Sequence, residues 1–203
     1  MSLKTKSLGS AGSAADLIVV SGSTNATPIV ITVAANSGLK TGDRLAISGV
    51  TGNTAANGEW TLELVTATTF KLLGSVGNGA HGGTVRAAQI FDTTPLMDDH
   101  SVSVEIGGNL VGTITLTSFA SYAEFAANDN SQSGFVNALG QSGSDQGVTN
   151  TNATSASTST KATTAIVMAA TNAGLTTEGR LSRYIHGAVT AYTSGTCSVK
   201  VQG

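Results

Sequence analysis

Charge is what this sequence has least of: Lys, Arg, Asp and Glu make up 11% of its 203 residues, against about 25% in an ordinary soluble domain. The ten basic and twelve acidic residues leave a formal net charge of −2. They are scattered, so the basic stripe that phosphate recognition needs is missing, and no nucleic-acid partner is expected. Aromatic residues are also few, at 4%. The single cysteine, Cys197, excludes an internal disulfide framework and a cysteine-based zinc site. It alternates with Val199 and Val201, which predicts a buried apolar thiol rather than a reactive one. The longest apolar run, near 162–170, falls well short of the roughly 20 residues of a spanning helix, so no membrane partner is expected. The opening stretch MSLKTKSLGSAGSAADLIVV has no uninterrupted apolar segment, and no secretory leader is expected from it.

What replaces charge is Gly, with 25 residues, together with abundant Ser, Thr and Ala. A neutral, hydroxyl-rich surface suits a protein packed among neighbours in an assembly. A plainer reading stands beside it: Thr is a good strand former, and Ser and Gly fill loops.

Period-2 alternation of apolar residues dominates the first half. Leu45 alternates with Ile47, Trp60 with Leu62 and Leu64, and Phe70 with Leu72, which predicts strands at 44–48, 59–65 and 69–73. Gly49, Gly52, Asn53, Asn57 and Gly58 supply turn residues between them. Shorter apolar strands are expected at 17–20 and 28–33, with Pro28 at a strand start or edge. The fold class expected is all-β, a small β-barrel module followed by an antiparallel β-sandwich. The expected organisation is a flexible N-terminal arm over 1–16, the barrel module over 17–87, a linker over 88–100 and the sandwich over 101–203. Within the sandwich, Gly107-Gly108-Asn109 reads as a hairpin turn between strands at 101–106 and 110–118. Residues 119–127 suit a short helix stopped at Asn128, or a strand edge. Residues 137–161 read as a long polar loop. Strands resume at 162–170, 180–192 and 196–202, the last two joined at Thr193-Ser194-Gly195.

Catalytic, cofactor and metal constellations are not found in this pattern. Asp98, Asp99 and His100 are consecutive, so on an extended chain they point to opposite sides, and no second cluster has ligand spacing. Asp129 lacks the repeated acidic ligands and distal Glu of a calcium loop. The GNGAHGG run carries neither the Lys nor the Ser/Thr of a phosphate loop, and its glycines read as a tight turn. His81, His100 and His186 lie far apart. The chain is expected to be non-enzymatic and without cofactors.

Two resemblances can be drawn on these residues. TGDRLAISGVTGNTAANGEW, TATTFKL and GSVGNGAHGGT, within about 28–87, together resemble the small β-barrel module of tailed-bacteriophage structural proteins, a module similar to the first catalytic-cysteine-half domain of ubiquitin-activating enzymes. The resemblance implies a fold and not ubiquitin chemistry, since Cys197 lies outside the module. In 100–203, VSVEIGGNLVGTITLTS, ANDNSQSGFVNAL and RYIHGAVTAYTSGTCSVKVQG resemble a β-sandwich domain of tailed-phage virion proteins, with Phe135 where that pattern often has Trp.

The resemblances imply a virion structural protein, foremost a capsid decoration or cement protein on the outer head surface. Its partners would be the major capsid protein and further copies of itself, as dimers or trimers. Leu3, Lys4, Lys6 and Leu8 on the arm are candidate shell contacts, ordering on the capsid; a frayed terminus is the competing reading. The alternative class is a tail-fibre or baseplate-associated module binding host glycans, for which Trp60, Tyr122, Tyr184 and Tyr192 are the aromatic candidates. Trp60 alternates with core leucines. Tyr184 and Tyr192 are placed on one strand face, available to a subunit interface or a sugar.

Overall fold

A computed structural model describes residues 5–35, 37–91, 102–108, 110–119, 121–128, 153–158, 163–168, 175–179 and 183–202. Its elements are β1 (Thr5–Ala11), β2 (Val20–Ser23), β3 (Val30–Val33), β4 (Arg44–Ser48), β5 (Gly58–Thr66), β6 (Thr69–Leu72), β7 (Arg86–Ile90), β8 (Val102–Gly108), β9 (Val111–Phe119), helix α1 (Tyr122–Ala127), β10 (Ala153–Thr158), β11 (Thr163–Met168), β12 (Leu175–Gly179), β13 (Tyr184–Ser194) and β14 (Cys197–Gln202), with one 3-10 turn at Thr54–Ala56. A four-stranded sheet runs β1-β14-β8-β12 and a ten-stranded sheet runs β10-β11-β9-β13-β7-β4-β5-β6-β3-β2. Every pairing is antiparallel. The all-β expectation holds.

Most of the alternating residues do what their period requires; Leu64 does not, and lies 47% exposed where the β5–β6 register shifts. Leu45, Ile47, Leu62, Phe70 and Leu72 are buried in one cluster with Ile29, Ile31, Val33 and Val20, and Trp60 packs against it. The sheet curls around this core, but β2 and β7 do not pair with each other; β7 continues the sheet into β13 instead. The Gly-rich 74–84 stretch is an irregular cover over the module rather than a tight turn. At Gly52 a Cβ would stand 2.1 Å from the carbonyl oxygen of Ala80, so two backbones meet there with no room for a side chain. Buried Asn53 ties the cover down: its Nδ2 donates to Ser23 Oγ and the Thr24 carbonyl, and its Oδ1 accepts from Asn78 N.

The proposed boundary at 88–100 does not separate two sheets. Residues 88–90, expected in the linker, belong to β7, an inner strand between β4 and β13. Phe91 N donates to the Arg183 carbonyl at 2.8 Å. Ala87, Ala88, Gln89 and Ile90 are all buried, because both faces of this strand are covered, so the alternation that marks a half-exposed strand is absent. Residues 92–100 lie outside the described residues.

Helix α1 covers one face of this junction. Ser121 caps it by accepting from Glu124 N at 3.2 Å, and Asn128 ends it in the left-handed region at φ 54°, the expected stop. Its buried Phe125 packs with Phe119, Tyr184, Ile90, Ala88 and Ala46. The Phe119 and Phe125 rings meet edge-on with centroids 5.7 Å apart.

Three further expectations are corrected. β8 and β9 are not a hairpin: β8 pairs with β14 and β12, β9 with β11 and β13. β13 and β14 are likewise in different sheets, so the chain crosses between sheets at residues 195–196. Part of the presumed 137–161 loop, Ala153–Thr158, is β10 on β11; residues 137–152 and 159–161 lie outside the described residues.

The N-terminal segment also differs from the expected flexible arm. Residues 5–11 form β1, registered along β14, and β1 lies against β13. Residues 15–17 then run beside β13, with Leu17 N donating to the Gly187 carbonyl and Val189 N to the Ala15 carbonyl. The low apolar content that suggested disorder is what lets this segment fit: a Cβ at Gly9 (φ 102°) would stand 2.1 Å from the Leu17 carbonyl oxygen.

Candidate interaction surface

The densest polar cluster joins the first-half sheet to β13. Glu59, on β5, lies 3.1 Å from Arg44 Nη2 and 3.2 Å from Arg183 Nη2, both through Oε2. Its other oxygen accepts the Tyr184 hydroxyl. Arg183 also lies over the Tyr184 ring, 5.4 Å from its centroid. Burial pushes the Tyr184 phenol up to about 12, and the hydrogen bond to Glu59 and that residue's charge add to the rise, against the opposing effect of Arg183 and Arg44. Burial also raises Tyr122, whose hydroxyl donates to the Ile47 carbonyl at 2.8 Å. Glu59 is thus held by two guanidiniums and a phenol, and links β4, β5 and the start of β13.

A second polar contact secures the N-terminal segment. His186 Nε2 on β13 stands 3.1 Å from Asp16 Oδ2, close enough to pair but off the line for a hydrogen bond. Desolvation lowers Arg86, while the nearby Asp16 charge opposes that shift. Arg86 Nη1 donates to the Phe125 carbonyl at 3.1 Å, and its guanidinium covers the Phe119 and Phe125 rings. Burial raises the Cys197 thiol, partly offset by the Ala11 backbone amide; the expected buried thiol is found. Among the described residues no group of three or more His, Cys, Asp and Glu converges on a metal position, and no helix is long and apolar enough to cross a membrane.

Of the residues singled out in the sequence, Tyr122 and Tyr184 are brought together, both packed against Phe125; the others are not gathered into one site. Leu3 and Lys4 lie outside the described residues, as do Asp98, Asp99, His100 and Asp129. Lys6 donates to the Ile90 carbonyl at 2.8 Å and lies over the Phe91 ring. Leu8 is core, at 1% exposure. Neither side chain is presented outward as a shell contact in this chain. Tyr184 is 2% exposed while Tyr192 is 40% exposed. They occupy opposite faces: Tyr184 opposes Phe119 and Tyr192 opposes Gly112, seven positions apart on β9, with a register shift between Val189 and Ala191. One extra residue reverses the phase of every side chain beyond it.

Beyond that shift β13 changes character. Residues 190–194, Thr-Ala-Tyr-Thr-Ser, are all exposed. The 15–17 segment that flanks β13 has its last bond at Val189. Among the described residues nothing pairs with 190–194 on the side away from β9, so this end of β13 presents an uncharged edge with one large side chain, Tyr192, and none of the lysines or prolines that usually guard an exposed edge. Glu59, Arg44 and Arg183 carry no shared local signal in the sequence and are united only by the strand order. Comparison with protein families, with characterised proteins and with solved structures finds no match for this chain.

Proposed function

We propose that the chain is a non-enzymatic structural protein of a tailed-phage virion, acting as an oligomeric capsid decoration protein that binds the major capsid protein on the outer head surface. The observation that carries the reading is the exposed, uncharged end of β13 around Tyr192, an edge suited to lateral association within an assembly. Two features support it. The most concentrated charges of the described fold are paired with one another, in the Glu59 joint. The hydroxyl-rich strands offer neutral surface that packs against neighbours without a charge penalty. A decoration protein works through many such modest contacts repeated over a shell.

The glycan-binding alternative draws on the same tyrosine. Of its four aromatic candidates only Tyr192 is classed as exposed; Tyr184 is buried, while Trp60 and Tyr122 are partly buried. One ring is a poor platform for a sugar, which places this reading second. The deciding experiment mixes the purified protein with expanded, undecorated heads and measures bound copies by sedimentation. Saturation at a symmetry-compatible ratio is the expected result. No binding to heads, with signal on a host glycan array that Tyr192→Ser abolishes, would replace decoration with the tail reading.

A further inference from the structure

The contacts of β1 suggest how copies of this chain join. This strand is held by two kinds of contact. Its backbone runs along β14 from Thr5 opposite Gln202 to Ala11 opposite Cys197. Its side chains fill prepared places: Leu8 is buried, Lys6 Nζ reaches the Ile90 carbonyl, and Ser7 Oγ donates to the Ser37 carbonyl. The chain then passes through Gly12, Ser13 and Ala14, all exposed, before residues 15–17 are fixed beside β13 and Leu17 is buried. Two anchored segments are thus joined by a short exposed hinge of small residues.

We infer that β1 is an exchangeable strand: in the assembled state it leaves its own β14 and pairs with the β14 of a neighbouring copy, linking subunits through their chains. The slot for β1 is the one each copy already carries, so exchange makes no new contact chemistry and sacrifices none. Leu8, Lys6 and Ser7 find the same partners in the neighbour. Only the hinge changes, from a bend to an extended link. Three residues span roughly 10 Å when extended, so exchange requires the acceptor β14 to lie directly beside the donor, an arrangement that close packing on a shell would provide. High local concentration on the shell favours the exchanged form, and dilution favours the closed one. Exchange rests on the oligomeric reading above and specifies its contact.

The register supplies the test. Ala11 and Cys197 are direct cross-strand partners, and antiparallel partners have Cα atoms about 4.5–5.5 Å apart, within the range a disulfide bridges. The full-length Ala11→Cys variant is oxidised at high and at low concentration, run on a non-reducing gel, and sedimented in parallel. Exchange predicts covalent dimers or a ladder from the oligomeric fraction and internally bridged monomer after dilution; dimers indicate reciprocal exchange, a ladder head-to-tail linkage. Oligomers in which all of the bridge is internal overturn exchange but leave oligomerisation standing. A protein that sediments as monomer at every concentration overturns both.

Discussion

Removing the Tyr184 hydroxyl measures how firmly the first-half sheet is joined to β13. Tyr184→Phe keeps the ring stacked on Phe125, where the planes are 6° apart, and deletes only the hydrogen bond to Glu59. A hydrogen bond to a charged acceptor contributes about 1.5–3 kcal/mol. Glu59 retains both arginines and some solvent, so the low end applies, about 1.5 kcal/mol. Glu59→Ala loses the same bond, strands a buried phenol hydroxyl, and frees two partly exposed arginines whose pairs are worth about 0.2–1 kcal/mol each. The expected cost is about 2–3 kcal/mol. Because the shared bond can be lost only once, the double variant is expected to fall short of the sum by about 1–1.5 kcal/mol. Urea unfolding followed by Trp60 fluorescence suits the cycle, since Trp60 is the sole tryptophan, adjoins Glu59 and packs on the module core. Far-ultraviolet circular dichroism tests whether both halves unfold together. A coupling below about 0.5 kcal/mol would show that the joint is geometric and not energetic.

Four further outcomes are expected. The raised Tyr184 pKa, about 12, means that its protonated form is favoured by folding, so its contribution is complete below the free-phenol value near 10 and is lost as pH rises from there to about 12. The loss is at most about 3 kcal/mol, and urea midpoints across that range are expected to fall less steeply for Tyr184→Phe than for the parent; equal slopes refute the assignment. Gly52→Ala places a Cβ against the Ala80 carbonyl, with an expected cost of about 1–3 kcal/mol and loosened amide protection across 74–84 by hydrogen exchange. Phe125→Ala empties the centre of the junction core and is expected to cost about 3–5 kcal/mol, read as a lower denaturant midpoint. Tyr192→Ser is expected to leave stability within about 0.5 kcal/mol while weakening self-association in sedimentation velocity; unchanged association removes the β13 end from the interface.

Much of the fold was legible where a residue's role depends on neighbours two positions away. β4 was expected at 44–48 and occupies those residues, and β5 and β6 differ only at their ends, because Leu45, Ile47, Leu62, Phe70 and Leu72 alternate against one core. Helix α1 could be stopped at Asn128 because its turn chemistry is local. The errors begin where the same local signal serves two global outcomes. A Gly-rich turn permits positive φ whether the chain folds back into a hairpin or crosses to another sheet, and Gly195, at φ 86°, serves a crossing. β7 was cut at its middle because an inner strand buried on both faces has no alternation to read.

The two tyrosines show how such an error reaches function. Tyr184 and Tyr192 have the same parity in the sequence, so an unbroken strand places both on one face, and either an interface or a sugar platform follows. The register shift near Thr190 breaks that parity, and Thr190 carries no local mark of it: it is a strand former among strand formers, with its hydroxyl bonded to Thr115, 75 positions away. The partner strand thus decides which tyrosine joins the core and which faces outward. The same holds for Glu59, whose pairing with Arg183 spans 124 positions. Local spacing identifies surfaces within a strand, but a bulge and a distant partner select the exposed one, so an interaction surface in an all-β chain has to be argued from register before it is argued from residue type.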